Sequence, residues 1–252
     1  MARFATAEPN PRGELEHVDP YTLLVAVVLS AQATDRSVNL ATAELFKVAS
    51  TPAAMVALGE ERLIGYIRTI GLFRTKARNV IALSRRLVEE HGGVTPQSRA
   101  VLESLPGVGS KSASVVLNIA FGEPTIAVDT HVFRVSHRIA IAPGRTPDEV
   151  QAGLERRVPE RFLLNAHHWL ILHGRYTCKA RVPECPRCLI RDLCRYPAKT
   201  PLGSRLPIEH ADPRTGTLER QGASDSAATR SEPAPSPQIA TAKRRVRPRS
   251  PP

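Results

Sequence analysis

Four cysteines, Cys178, Cys185, Cys188 and Cys194, constrain this chain more than any other feature. They are its only cysteines, and they fall within 17 residues at the spacing C-x6-C-x2-C-x5-C. A disulfide framework usually scatters its cysteines through a small secreted domain. Here one loop carries them all, in a chain of 252 residues that can bury an ordinary core without covalent staples. Four thiolates on one loop can surround an iron–sulfur cluster or a zinc ion, and spacing alone does not choose between them. Pro183 and Pro186 stiffen the loop and lower the entropy lost on closing it. Around it stand Arg175, Lys179, Arg181, Arg187, Arg191 and Arg195, a basic rim suited to phosphate contacts.

Charge narrows the partners. Lys and Arg number 35 against 24 Asp and Glu, a formal net charge of +11. Such a balance favours nucleic acid first and an anionic membrane surface second. A membrane span is excluded by length: the longest apolar stretch, Leu23 to Leu29, falls far short of the roughly 20 residues required. The first twenty residues mix Arg3, Glu8, Arg12, Glu14 and Glu16 with prolines and hold no apolar signal-peptide core. The expected compartment is the reducing cytoplasm, at the nucleoid.

Composition shifts near residue 200. From Pro201 onward there are nine prolines, nine Lys or Arg, five Asp or Glu and no aromatic residue. Such a segment buries too little apolar surface to offset its ordering entropy, so residues 198–252 are expected to be a disordered basic tail ending in Lys243-Arg244-Arg245. The tail's surplus of four positive charges leaves +7 on residues 1–200, which are basic in their own right. Residues 1–19 hold few apolar positions among three prolines or glycines and are expected to be poorly structured.

Between these ends the pattern is helix after helix. Pro20 to Ala33 is apolar on nearly all sides, as a central buried helix requires. Thr75 to His91 keeps Ala77, Val80, Ile81, Ser84, Leu87 and Val88 on one face, with Gly92 as its stop. Thr146-Pro147-Asp148-Glu149 carries an N-cap, a first-turn proline and a glutamate three residues on. Pro159 to His173 predicts another helix, closed by Gly174. Period-two alternation is nearly absent. The fold class is all-α.

Leu105-Pro106-Gly107-Val108-Gly109-Ser110-Lys111 joins two predicted helices, Ser98 to Ser104 and Ser110 to Phe121, giving a helix–hairpin–helix over about 98–121. Gly107 and Gly109 permit a tight turn with positive φ and close approach of another backbone. The second helix then points its unpaired N–H groups out of the turn, a seat for a phosphate. Lys111 lies in that helix's first turn, where the positive end of the dipole disfavours a further cation. A lysine there can bind phosphate, or act as the free amine that attacks carbon. Ile126-Ala127-Val128 delivers Asp129 to the start of a helix running from Thr130 to Ile141. Asp129 can cap that helix, and its carboxylate can also stabilise a cationic sugar or deprotonate an amine.

These segments resemble the endonuclease III family of DNA glycosylases from about Pro20 to Tyr196. The markers are Leu29-Ser30-Ala31-Gln32-Ala33-Thr34-Asp35, Thr69-Ile70-Gly71-Leu72, Leu105-Pro106-Gly107-Val108-Gly109, Val128-Asp129-Thr130-His131, His167-His168-Trp169-Leu170-Ile171-Leu172-His173-Gly174-Arg175-Tyr176 and the cysteine spacing. The resemblance implies a two-domain helix–hairpin–helix glycosylase fold, with a six-helix barrel over 20–124 and a cluster domain over 125–197. It implies a [4Fe–4S] cluster on Cys178, Cys185, Cys188 and Cys194. It implies a monomer acting on double-stranded DNA with damaged bases or abasic sites, a bifunctional glycosylase and AP lyase that excises oxidised pyrimidines and cleaves the strand by β-elimination. Lys111 matches the nucleophile and Asp129 the assisting carboxylate. Gln32 and Leu72 match residues that enter the duplex beside the flipped nucleotide, and Gly107, Val108 and Gly109 match the DNA-binding hairpin. Two departures stand out: the family's opening amphipathic helix is expected to be missing, and Val182 and Glu184 replace residues that are often basic.

Two rivals are weighed. Adenine glycosylases of the same superfamily carry a glutamate on the helix at Pro20–Ala33 and lack the hairpin lysine, whereas this chain has Ala26 there and Lys111. A non-catalytic DNA-binding module would bind without cleaving, and the Lys111 and Asp129 pair argues against it.

Overall fold

The apolar run after Pro20 becomes a helix buried on every side, around which the first half of the chain is built. In the computed structural model, which describes residues 1–204, helix α2 (Pro20–Leu29) has nine of its ten residues buried. Its start is set by a reciprocal cap: the Thr22 N–H donates to Asp19 Oδ1 at 2.7 Å, and the Asp19 N–H donates to Thr22 Oγ1 at 3.0 Å. Around α2 lie α3 (Asp35–Val48), α4 (Pro52–Leu58), α5 (Glu60–Ile67), α6 (Phe73–His91), α7 (Arg99–Ser104) and α8 (Ser110–Phe121). One hydrophobic core runs through them, from Tyr21 to Leu117. These are seven helical segments, with Gly59, at φ +79°, turning the chain between α4 and α5.

A second core joins α9 (Thr130–Arg138), α10 (Pro147–Arg157) and α11 (Glu160–Tyr176), with Ile126 and Val128 on one side and Cys178 on the other. Thr146 caps α10 through its side chain, and Glu149 returns to the Arg145 N–H at 2.7 Å. Both cores lie in one unit, Met1–Glu209. No strand occurs among the described residues, and no helix there is long and apolar enough to cross a membrane.

Three expectations need correction. Gly174 does not stop its helix. It lies inside α11, where a Cβ would meet His131 Cβ at 2.8 Å, so the missing side chain serves the crossing of α9 and α11. The helix after Asp129 ends at Arg138, not Ile141. The opening residues are not unstructured either: a six-residue helix, α1 (Ala2–Ala7), buries Phe4 against Trp169 and Ile190. Arg3 pairs with Asp192 at 2.5 Å, and the Trp169 Nε1–H donates to Glu8 O at 2.8 Å. One buried aromatic and two polar tethers hold this segment where its composition predicts none. Of the basic tail, all but 198–204 lies outside the described residues.

Candidate active site and cysteine loop

Helix α8 opens on the glycine-rich turn. Gly107 has φ +80° and its Cα faces Asn79, so a Cβ there would meet Asn79 Nδ2 at 2.8 Å. Gly109 differs from expectation: it sits at φ −99° as the N-cap, with open space at its Cβ position. Val108 is buried, and its N–H donates to Leu105 O at 3.1 Å. The turn therefore presents backbone outward, not the valine side chain. No side chain caps α8, which leaves its first N–H groups without a side-chain partner.

Lys111, in that first turn, is exposed and lines a cleft of about 850 Å³. Asp129 and Gln32 line the same cleft. Asp129 caps α9 by accepting the Val132 N–H at Oδ1, 2.7 Å away. The segment leading to it is pinned: Asn118 Nδ2 donates to the carbonyls of Glu123, Thr125 and Leu164, each at 3.0 to 3.1 Å. A buried amide with three carbonyl partners makes a rigid staple.

Gln32 and Leu72 share a property that their sequences hide. Both lie in the left-handed region, at φ +53° and +59°, where non-glycine residues are held only by their surroundings. Their loops adjoin, since a Cβ on Gly71 would stand 4.0 Å from Gln32 O. Leu72 is 59% exposed and Gln32 is exposed too. Leu72, Gly107, Val108 and Gly109 are not part of the cleft lining.

The cleft also holds His131, His167 and Arg175, to which the sequence assigned no place in it. His167 is buried, and its Nδ1 is 2.9 Å from Ala127 O. Burial, then the neighbouring His168, lower its pKa to about 4 against the pull of Asp129. Burial likewise lowers the pKa of His131, again opposed by Asp129. Arg175 joins the carboxylates of Glu14 and of Asp35, the latter at 2.5 Å, and Glu14 also accepts from the Tyr176 hydroxyl. The run of two histidines in a buried helix was the available signal. The Arg175 to Glu14 pair, 161 residues apart, had none.

The four cysteines line a second, narrower pocket with Arg138, His173, Arg191 and Tyr196. Cys188 Sγ is 3.8 Å from His173 Nε2, and Arg138 Nη1 is 3.5 Å from Cys178 Sγ. Burial raises the pKa of the Cys188 thiol, and the other three cysteines add to it against a backbone hydrogen bond at Ile190. Arg191 has a buried Nε without a hydrogen-bond partner. Among the described residues, no three His, Cys, Asp or Glu side chains lie close enough to hold one ion; the sulfurs ring the pocket instead. The basic rim is partly spent. Glu184, buried, pairs with Lys179 at 2.7 Å and with Arg187, while Arg175 is held as described.

The arrangement matches known proteins. Residues 25–160 match the HhH-GPD superfamily base excision DNA repair protein model. Endonuclease III of Escherichia coli (strain K12) is 56% identical over 199 residues, covering 79% of this chain and 94% of that protein. Endonuclease III of Treponema pallidum (strain Nichols) is 60% identical over 188 residues, 75% and 89% of the two chains. A trapped endonuclease III–DNA covalent intermediate superposes with TM-score 0.73 at 45% identity, covering 77% of this chain and 92% of that one. A non-covalent endonuclease III–DNA complex gives the same TM-score and identity. With described residues that are helical and without strands, and with Lys111 and the helix-capping Asp129 lining one cleft, this chain is a base excision DNA repair protein of the HhH-GPD superfamily. Within that superfamily it belongs to the endonuclease III family.

Proposed function

We propose that this chain is a bifunctional DNA glycosylase and AP lyase that excises oxidised pyrimidines, with Lys111 as nucleophile and Asp129 as assisting carboxylate. The observation that carries the reading is their shared cleft: an exposed amine at an uncapped helix start and a carboxylate fixed by its own cap. The free amine of Lys111 attacks C1′ of the flipped nucleotide, and the N-glycosidic bond breaks as the base leaves with a proton. The C1′–O4′ bond then breaks, O4′ taking the remaining N–H proton as the sugar ring opens, and the nitrogen and C1′ are left joined as the Schiff base. Removal of a C2′ proton then expels the 3′ phosphate. Asp129 stabilises positive charge on the sugar and accepts the amine's proton; one of its oxygens takes the Val132 N–H.

In this reading Gln32 and Leu72 enter the duplex where the nucleotide has left, and Gly107, Val108 and Gly109 bring backbone against a phosphate. Residues 20–124 and 125–197 form the two domains, each with its own core, and the chain acts as a monomer on nucleoid DNA in the cytoplasm. Cys178, Cys185, Cys188 and Cys194 hold a [4Fe–4S] cluster. The donor set fits it: four thiols around one pocket, with Arg138 and Arg191 alongside to offset a thiolate-rich centre. When bound, the cluster cross-links the loop and supplies no step of the sugar chemistry.

Borohydride trapping on a duplex with an abasic site tests the nucleophile. Lys111→Ala is expected to abolish the covalent adduct while keeping DNA affinity within about fivefold, since one exposed cation is lost. Trapping by Lys111→Ala at the wild-type rate rejects the assignment.

A further inference from the structure

A buried histidine lines the cleft with both reacting groups, and the chemistry above gives it no part. His167 sits on α11 and lines the cleft with Lys111 and Asp129, and both of these charges act on its ring. The carbonyl of Ala127 can only accept, so His167 Nδ1 carries the proton and donates it across 2.9 Å. Ala127 is two residues ahead of Asp129, in a buried run with Ile126 and Val128. The Asn118 staple ends at Thr125 O, and the Glu155 carboxylate reaches the Ile126 N–H at 3.4 Å. His167 is therefore the last peg on the backbone before the carboxylate.

Resting on the active-site reading above, we propose that His167 is the positioning residue for Asp129: a neutral imidazole whose Nδ1–H clamps the Ala127 carbonyl and so fixes where the carboxylate stands relative to Lys111. Neutrality matters to the role. A cationic ring would attract the carboxylate and draw it away from Lys111. The groups that face the ring are His168, stacked edge-on with centroids 5.3 Å apart, and the Asp129 and Lys111 charges. Burial keeps the ring uncharged across the neutral range.

Three variants test this. Asn places an amide donor near the Nδ1 position, Gln places it one bond further out, and Leu has none. Expected in single-turnover trapping on abasic DNA is retention of at least about a third of the rate by His167→Asn and a loss of about tenfold in His167→Gln and His167→Leu. DNA affinity should stay within about twofold in all three, which separates positioning from binding. In an Asp129→Asn background, His167→Leu should cost less than about twofold further, because two residues acting through one another are not additive. Wild-type trapping by His167→Leu overturns the proposal, as does a full independent loss in the Asp129→Asn background. If His167→Leu does not fold, equal rates for His167→Asn and His167→Gln overturn it. Failure of the Lys111 assignment would instead show in Lys111→Ala, whatever His167 variants do.

Discussion

Gln32 and Leu72, like Ala140 elsewhere in the chain, hold a backbone shape that their chemistry disfavours. An L-residue other than glycine in the left-handed region costs about 1–2 kcal/mol, less for asparagine, whose short polar side chain suits that conformation. Leu72 accepts that cost while more than half exposed, so no packing gain offsets it locally. Strain of this kind at a site points to use. Leu72→Asn should leave the melting temperature unchanged or slightly raised while lowering single-turnover excision by about tenfold, because the wedge is lost and the strain relieved. An unchanged excision rate would remove Leu72 from the DNA interface. Sequence could name Leu72 and Gln32 only through resemblance, since positive φ leaves no trace in the residue types here. Val108 shows the reverse limit: its apolar character was plain, and that character sends it inward.

At the scale of the element, the hairpin separates two uses of glycine. Gly107 needs its missing Cβ for the fold, with φ +80° and Asn79 in the way. Gly109 has ordinary φ and open space, so its smallness serves only what approaches from outside. Gly107→Ala should lose about 1–3 kcal/mol of stability, read as a lower denaturation midpoint. Gly109→Ala should keep that midpoint within about 0.5 kcal/mol of wild type yet weaken DNA binding several-fold, as measured by titration. Equal affinity for Gly109→Ala and wild type would argue against close phosphate approach. Helix starts were legible because caps are local: Thr146 and Asp129 each announce one. Helix ends were less so. Gly174 reads as a stop, but α9 crosses there, and a contact between residues 43 positions apart is invisible to a local rule.

For the whole molecule, the buried histidines set a dependence on acidity. His167, near 4, and His168, also lowered by burial, bind protons less readily folded than unfolded, where histidine titrates near 6.5. The unfolded chain therefore takes up protons first as pH falls. The His167 contribution is complete above about pH 6.5 and is lost progressively on acidification toward pH 4, at up to about 1.4 kcal/mol per pH unit, and His168 acts in the same direction. Chemical denaturation between pH 7 and 5 should show the midpoint falling, and His167→Asn should flatten the fall; a midpoint that rises on acidification contradicts it. That residues 20–176 are helical and that four cysteines cluster after them was readable in the sequence. The ties between distant parts were not: Arg175 with Glu14, His167 with Ala127, Phe4 with Trp169.

That last tie has a consequence in time. Synthesis delivers α1 long before its partners, for Phe4 meets Trp169 and Ile190, and Arg3 meets Asp192. Segments made early generally fold early, but this one has nothing to fold upon until the ribosome has passed residue 192. Helix α1 must wait, with Phe4 uncovered, until the segment that carries the cysteine loop has been made.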